Sequence, residues 1–450
     1  MNKKRFLRFS FAYFQIVVNY GLTILLNNQL AHLLGLTREK DVFDIAYSLP
    51  FLILELAGLN FVHSVVTSLV RRAAMSSREE ATKTISQLLF FYSCAGAALT
   101  LVAFFLLPIV VPFLAPGFNA PELSQAESLA QISLLCLFFM GVNTVVAASS
   151  TALGLPAGRE LALSIMKGSA FGYIWLSPDP SLRLVLGSFV LGLLLCSTLQ
   201  VLVLCRFYGF SFRASNFSFR AVNFSAVRGS FYFFIAAISS TLLTIYINRT
   251  ASQIGEGSIA LLGYSLALCL PIAVLTGKPL ALVLAPKLII HQVSHAKKTL
   301  FRTVSLWTGI TGLAAFGIAA LVSLLAPLIV SWLYGGGNFT PAAEEAVVAT
   351  VRKHLWLVPP ASLLWIYLYP LQNFRDGLYG AASYILGNLC GFLFIYSFRE
   401  SSGLDALIFG QILTLGCQAS FAITFLFLLT SLQSDPREEQ HLNTTVESPL

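Results

Sequence analysis

Two passages of this chain match each other along an almost wholly apolar sequence. Asn27 matches Asn248 and Pro50 matches Pro271, each at a spacing of 221 residues. Segment 106–118 matches segment 324–336 at a spacing of 218 residues. In a membrane protein, two copies of one helical bundle enclose a cleft, and rocking of the copies opens that cleft to alternate sides. The repeat therefore predicts a transporter built from two similar lobes.

Long apolar runs recur along nearly the whole chain, which is 56% hydrophobic and only 11% charged. About 20 such residues cross the hydrocarbon core as a helix. We predict twelve spans, near residues 11–35, 42–69, 86–114, 128–153, 161–176, 183–205, 229–248, 258–286, 304–334, 354–372, 377–398 and 404–432. The predicted fold is an all-α integral membrane protein with two pseudo-symmetric six-helix lobes around a central cleft.

The repeat and the charged segments divide the chain into four parts. They are an N-terminal six-helix lobe (1–205), a basic aromatic cytoplasmic linker (206–228), a C-terminal six-helix lobe (229–432) and a disordered cytoplasmic tail (433–450). Phenylalanines alternate with arginines in the linker, which favours a position at headgroup depth against anionic membrane lipids. Binding of a partner protein by the linker is the alternative.

The net charge of +8 does not require a nucleic-acid partner. With the N-terminus inside, 19 of the 28 Lys and Arg fall in predicted cytoplasmic segments and seven in outer ones. The positive-inside rule explains this asymmetry. We therefore expect a multi-pass protein of the inner (plasma) membrane with both termini in the cytoplasm.

Ionisable residues inside membrane spans are costly and are candidates for a functional site. Glu55 lies near the middle of the second predicted helix, and Lys278 lies at a similar depth in the eighth. Because these helices are related by the repeat, the hypothesis is that Glu55 and Lys278 pair across the cleft. The alternative is that each side chain snorkels or bonds a nearby carbonyl.

Other polar residues in or near the spans are weaker candidates. Those assigned to the cleft are Asn60 and His63 beyond Glu55, Lys167 in the short fifth helix, and Asn27, Asn248 and Arg249 at the outer ends of the first and seventh helices. The last three are interpreted as a substrate gate or as interfacial caps. Asp41 and Asp44 are interpreted as helix-start carboxylates that favour the positive end of the helix dipole.

Pro50 and Pro271 occupy equivalent places in the second and eighth predicted helices. Proline removes a helical hydrogen bond, so the pair predicts two hinges. The seven scattered cysteines show no metal spacing, and no nucleotide-binding, zinc or catalytic-triad motif is evident. We therefore expect a protein that is not an enzyme and has no metal or cofactor, driven by a cation gradient, the membrane potential or the substrate gradient.

Several segments resemble the MurJ/MviN family. They are Asp41-Val42-Phe43 with Ala46 and Pro50, Leu114-Ala115-Pro116-Gly117-Phe118, Ile247-Asn248 through Pro271, and Leu333-Tyr334-Gly335-Gly336-Gly337-Asn338-Phe339-Thr340. The similarity extends from about residue 10 to residue 430. It implies the fold of the multidrug/oligosaccharidyl-lipid/polysaccharide exporter superfamily and a flippase of a lipid-linked sugar such as lipid II.

The resemblance also implies cleft arginines at positions that other residues occupy here. Those positions are Leu54 and Glu55 in the second helix, residues near Tyr20 and Leu26 in the first, and Leu266 in the eighth. A guanidinium binds phosphate bidentately. The absence of these arginines therefore bears on recognition of the phosphorylated headgroup of the substrate and not on the fold.

The predicted function is the flipping of a lipid-linked glycan precursor, of peptidoglycan or polysaccharide, by alternating access. One alternative is an ion-coupled exporter of small amphiphiles with Glu55 as the coupling carboxylate. A second is a transport-inactive scaffold for envelope-assembly proteins. An integral-membrane glycosyltransferase is the weakest option, because no acidic catalytic cluster is found on a loop.

Overall fold

A computed structural model describes residues 3–57, 66–67, 69–70, 73–153, 159–208, 228–293, 297–372 and 377–432. Within these ranges the chain is α-helical, apart from short turns and one isolated bridge between Gly336 and Phe339. The helices of the first lobe are α1 (Lys3–Leu34), α2 (Arg38–Leu56), α3 (Arg78–Leu114), α4 (Ala120–Ser133), α5 (Leu135–Ala152), α6 (Arg159–Leu176) and α7 (Leu182–Val203).

The second lobe follows the same plan. Its helices are α8 (Arg228–Ile254), α9 (Ser258–Val293), α10 (Lys297–Tyr334), α11 (Pro341–His354), α12 (Val358–Gln372), α13 (Leu378–Ser402) and α14 (Leu404–Leu432). A π-helical turn at Leu204–Tyr208 ends the first lobe, and a 3-10 turn at Leu355–Leu357 joins α11 to α12. The fourth span of each lobe is therefore divided, as α4–α5 and as α11–α12.

Helix packing repeats between the lobes. In the first lobe α1 packs on α6, α2 on α4, α3 on α5 and α6 on α7; in the second, α8 packs on α13, α9 on α11, α10 on α12 and α13 on α14. Each contact has its partner in the other lobe when α1 is matched with α8. The two pseudo-symmetric lobes predicted from the repeat are confirmed.

The divided spans begin with matching caps. Asn119 caps α4 by accepting a 3.0 Å hydrogen bond from the backbone N–H of Glu122. Thr340, at the equivalent position, caps α11 by accepting a 3.2 Å bond from the N–H of Ala343. Both side chains satisfy N–H groups that have no partner within the helix. The structure therefore starts these spans earlier than the sequence analysis did, at Ala120 and Pro341 rather than near residues 128 and 354.

The outer surface of the bundle is apolar. On the repeat-related helices α3 and α10, Phe105 is 72% exposed and Leu313 is 77% exposed. Eight of the described helical segments are long and apolar enough to cross a membrane. Four further segments in the same bundle, α1, α2, α6 and α11–α12, complete the twelve predicted spans. Most of the predicted linker and the whole predicted tail lie outside the described residues, at 209–227 and 433–450.

Candidate functional site: the cleft between the lobes

The two lobes meet at one end of the bundle, which we call the sealed end. There the backbone N–H of Asn338 donates to the carbonyl of His32 at 3.0 Å, and the Tyr264 hydroxyl donates to the carbonyl of Gly35 at 3.2 Å. The Asn28 amide also donates to the carbonyl of Leu333. These bonds join α1 to the second lobe, so they close the space between the lobes at this end.

A buried carboxylate strengthens the sealed end. Asp41, at the start of α2, is fully buried and accepts 2.8 Å bonds from the backbone N–H groups of Gly257 and Ala260. These N–H groups lie at the N-terminal end of α9, where the helix dipole is positive. From the sequence, Asp41 was interpreted as a carboxylate at the dipole of its own helix; in the structure it caps a helix of the other lobe.

Glycines allow the two backbones to approach closely at the sealed end. A Cβ on Gly117 would overlap the backbone of Ser252, and a Cβ on Gly337 would overlap the backbone of His32. Gly337 also has a φ of +57°, which L side chains rarely adopt. Both glycines belong to the motifs that carry the family resemblance. In this structure, those motifs serve to let the backbones of the two lobes approach closely.

A cleft with a volume of about 600 Å³ lies between the lobes. It is lined by side chains from α1, α2 and α6 of the first lobe and from α8, α9, α13 and α14 of the second. Among the described lining residues, the charged ones are Lys40, Asp44 and Lys167, and none is arginine. Most of the remaining lining is apolar or carries amides and hydroxyls.

The repeat-related amides predicted for the site both line the cleft. Asn27 and Asn248 face it from α1 and α8. The Asn27 side chain donates a 2.9 Å bond to the carbonyl of Thr23 in its own helix. The structure thus places these two residues together, on opposite walls of one cavity.

Lys167 lies on the wall formed by the first lobe. Its Nζ donates to Asn19 Oδ1 at 2.9 Å and to Thr23 Oγ1 at 2.7 Å. These bonds fix the ammonium group of α6 against α1 beside the cavity. Lys167, one of the residues assigned to the cleft from the sequence, therefore brings positive charge to this wall.

A network of amides and hydroxyls lines the opposite wall. Asn388 donates to Ser239 Oγ at 2.7 Å and to Ser240 Oγ at 2.9 Å, and Gln418 donates to Asn388 Oδ1 at 3.0 Å. Ser240, Asn388 and Gln418 reach the cavity surface. This network was not predicted, because single amides and hydroxyls in three distant helices give no local motif in the sequence.

Lys40 and Asp44 form an ion pair in the cleft that the sequence analysis also missed. Lys40 is only 1% exposed. Its ammonium lies 4.8 Å from the centre of the Tyr264 ring and 5.8 Å from that of Phe43. The sequence does contain a signal for this ion pair. A lysine and an aspartate stand four residues apart at the start of a span, and such residues share a helix face.

Glu55 lies at the seam between the lobes rather than in the cavity lining. It accepts a 3.1 Å hydrogen bond from the hydroxyl of Thr241 in α8. Lys278 places its ammonium 5.5 Å from the centre of the Trp365 ring. Among the described contacts, no ion pair joins Glu55 to Lys278 in this conformation, so their predicted pairing across the cleft is not seen here.

The remaining predicted residues are placed as follows. Arg249 donates a 2.8 Å bond to the carbonyl of Phe113 and covers its ring, so it joins the lobes outside the cavity lining. Asn60 and His63 lie outside the described residues. Pro50 is buried in α2, Pro271 lines the cleft on α9, and both helices continue past these prolines. The interruption of the two helices is therefore not seen, and the hinge role stays a prediction.

Comparison with known proteins gives the family. The family model of the lipid II flippase MurJ matches residues 30–370, more than half of the chain. The chain belongs to the MurJ family. A comparison with curated protein sequences gives no match.

Solved structures share the fold. Lipid II flippase MurJ in an inward closed conformation is 15% identical, with a TM-score of 0.75 over 96% of this chain and 94% of that one. A multidrug resistance MATE family transporter of the MOP superfamily, in an inward-facing conformation, is 14% identical, with a TM-score of 0.75 over 92% and 94%. A MOP superfamily transporter from Pyrococcus furiosus is 13% identical, with a TM-score of 0.66 over 94% and 95%.

The family and the fold together define the general activity. The described helices form two lobes around a cleft that is closed at one end, and the chain belongs to a flippase family. The protein is a multi-pass membrane flippase or exporter that works by alternating access.

Proposed function

We propose that this protein flips a lipid-linked glycan precursor, of the class to which lipid II belongs, across the inner membrane. The observation that carries the proposal is the composition of the cleft. Its walls combine the Lys167 ammonium with amides and hydroxyls of both lobes, including Asn27, Asn248 and Asn388. Sugar hydroxyls and peptide groups both donate and accept hydrogen bonds, and amide and hydroxyl side chains supply partners of both kinds.

Recognition of phosphate in this cleft would differ from recognition by arginine. Lys167 is the cationic side chain of the lining that bonds to neutral oxygens, those of Asn19 and Thr23. An ammonium binds phosphate as a point charge, without the planar fork of a guanidinium. We therefore assign the phosphate contact to Lys167 and the contacts to the sugar to the surrounding amides.

The membrane setting is part of the same proposal. Both termini and the linker 206–228 face the cytoplasm, and the linker binds anionic lipids. The excess of Lys and Arg in these segments supports this orientation. The sealed end then faces outward, and the cleft loads its cargo from the cytoplasmic leaflet. Envelope-assembly proteins that supply or use the lipid-linked cargo are the proposed partners.

The test is a flipping assay with a reversible lock. In a cysteine-free background, Pro116→Cys and Gln253→Cys place thiols beside the contact between Gly117 and Ser252 at the sealed end. Proteoliposomes that contain the protein and lipid II should flip the lipid under reducing conditions and stop when the disulfide forms. Single-cysteine versions are the matched controls and should be insensitive to oxidation.

A cellular test is complementation of cells depleted of MurJ. Growth should be restored by the protein and lost again when the sealed end is locked. Flipping that is absent or independent of the lock would contradict the proposal. In that case, cation-dependent export of an amphiphilic dye would identify the protein as an ion-coupled exporter. Absence of both flipping and export would favour the transport-inactive scaffold.

A further inference from the structure

The Lys40–Asp44 pair lies where the two lobes touch. Both residues belong to α2 of the first lobe, and both are covered by α9 of the second. The Lys40 ammonium lies 4.8 Å from the centre of the Tyr264 ring. A Cβ built on Gly263 would lie 3.3 Å from Asp44 Oδ2. The burial of this pair therefore depends on contact between the lobes.

The two carboxylate oxygens of Asp44 have different surroundings. Oδ1 accepts a hydrogen bond from Lys40. Oδ2 is buried, and it has no hydrogen-bond partner among the described residues. An ionised oxygen without a partner is costly to bury, because no group replaces the water that it has lost. The sealed conformation thus leaves an acceptor unsatisfied beside the cleft.

We propose that Asp44 is a binding site for a small monovalent cationic group, which it takes up when the lobes part at the sealed end. In the sealed conformation, Lys40 substitutes for this group as a tethered cation. The ligand is either a metal cation such as Na⁺ or a primary ammonium group of the cargo, since both supply positive charge to a carboxylate. Binding of an ammonium group of the cargo rests on the proposed function, whereas binding of a metal cation does not.

Cation binding at Asp44 biases the two access states. In the sealed conformation Oδ2 is buried beside Gly263 of α9, so a ligand on that oxygen binds the opened conformation better. A ligand shifts a conformational equilibrium by its difference in affinity for the two states. The cation therefore favours opening of the sealed end, and it competes with the Lys40 ammonium for the carboxylate.

The experiment measures opening directly and does not require transport. Spin labels at Pro116→Cys and Gln253→Cys, in the full-length cysteine-free protein in detergent, report the distance across the sealed end. NaCl and ethylammonium chloride are titrated at constant pH and ionic strength, with N-methyl-D-glucamine chloride as the balancing salt. We expect one of the two cations to increase the fraction with the long distance.

Two substitutions make the expectation specific. Asp44→Asn should abolish the response to the cation. Lys40→Met removes the competitor and should lower the half-maximal cation concentration by about tenfold, which equals about 1.4 kcal/mol. Asp405→Asn is the matched control, because Asp405 pairs with Lys353 outside the cleft lining, with the two side chains 43% and 39% exposed. That variant should respond like the parent.

The outcomes separate the sources and the alternatives. A response to Na⁺ identifies a metal cation, and a response to ethylammonium alone identifies an ammonium group. If neither cation acts on the parent protein, or if the response survives in Asp44→Asn, the proposal is wrong and the pair only stabilises the fold. Gly263→Ala provides a second check if Lys40→Met does not fold. Its added methyl group crowds Oδ2 only in the sealed conformation, so it should raise the open fraction without added cation and lower the half-maximal cation concentration, without removing either charge.

Discussion

Asp41 Oδ1 accepts a 2.8 Å hydrogen bond from the backbone N–H of Ala260, on the other side of the lobe interface. The second oxygen of the same carboxylate accepts from Gly257. One lobe thus supplies the N-terminal cap of a helix in the other lobe. This bond exists only while the lobes are in contact, so the charge of Asp41 acts on the equilibrium between access states as well as on the fold.

Replacing Asp41 should open the sealed end. A helix cap and its charge–dipole interaction contribute about 1–2 kcal/mol. Asp41→Ala should therefore lower the ratio of sealed to open protein by roughly five- to thirtyfold. Spin labels at Pro116→Cys and Gln253→Cys would measure this ratio. An unchanged distance distribution would show that the cap does not control the equilibrium, and Asp405→Ala should have no effect.

Adding one methyl group at the lobe interface should also hinder closure of the sealed end. In Gly117→Ala the new Cβ would overlap the carbonyl of Ser252, so the lobes could not close fully. Gly172→Ala on α6 is the matched control, because nothing lies within 4 Å of its Cβ position. We expect Gly117→Ala to reduce flipping by about tenfold or more and Gly172→Ala to leave it unchanged. Equal activity of both variants would show that close backbone approach is not required.

The sequence predicted the lobes because a repeat and apolar runs are properties of the chain itself. Asn27 and Asn248 were interpreted from the sequence as a substrate gate or as interfacial caps, and the structure places both in the cleft lining. The roles of Asp41 and Lys40 were not predicted. Both residues stand at the start of a span, where charge is ordinary, and only the packing of α2 against α9 buries them.

The position of Glu55 shows a second limit of sequence reasoning. Depth along a helix can be estimated from residue number, but the direction in which a side chain points depends on packing. Glu55 lies at a depth suited to the cleft, yet it points to the seam and bonds to Thr241. The polar wall that contains Asn388 and Gln418 was missed because its groups come from three distant helices and form no local motif.

The contacts of this conformation predict independent behaviour of Glu55 and Lys278. Glu55 contacts Thr241, and Lys278 covers Trp365. In a double-mutant cycle with Glu55→Gln and Lys278→Met, the effects on flipping should add within about 0.5 kcal/mol. A larger interaction energy would show that the two residues meet in another access state. If Glu55→Gln alone abolished cation-dependent export, the ion-coupled exporter would replace the flippase.

Loss of the Lys167 charge should weaken recognition of a phosphorylated headgroup. A charge-assisted hydrogen bond contributes about 1.5–3 kcal/mol, so Lys167→Gln should reduce the apparent affinity for lipid II by about tenfold or more. Lys353→Gln is the control, because Lys353 pairs with Asp405 and is not among the residues that line the cleft. Initial flipping rates at several lipid concentrations would separate affinity from turnover. Equal rates for both variants would remove Lys167 from the binding site.

The orientation of the bundle can be tested independently of transport. The distribution of basic residues predicts that the linker 206–228 is cytoplasmic and that Asn119 and Asn338, both exposed at the sealed end, face outward. Single cysteines at 119, 213 and 338 in a cysteine-free background would be treated with an impermeant thiol reagent in intact cells. Positions 119 and 338 should react, and position 213 should react only after the cells are permeabilised. Labelling of position 213 from outside would invert the topology, and loading of the cleft from the cytoplasmic leaflet would then be wrong.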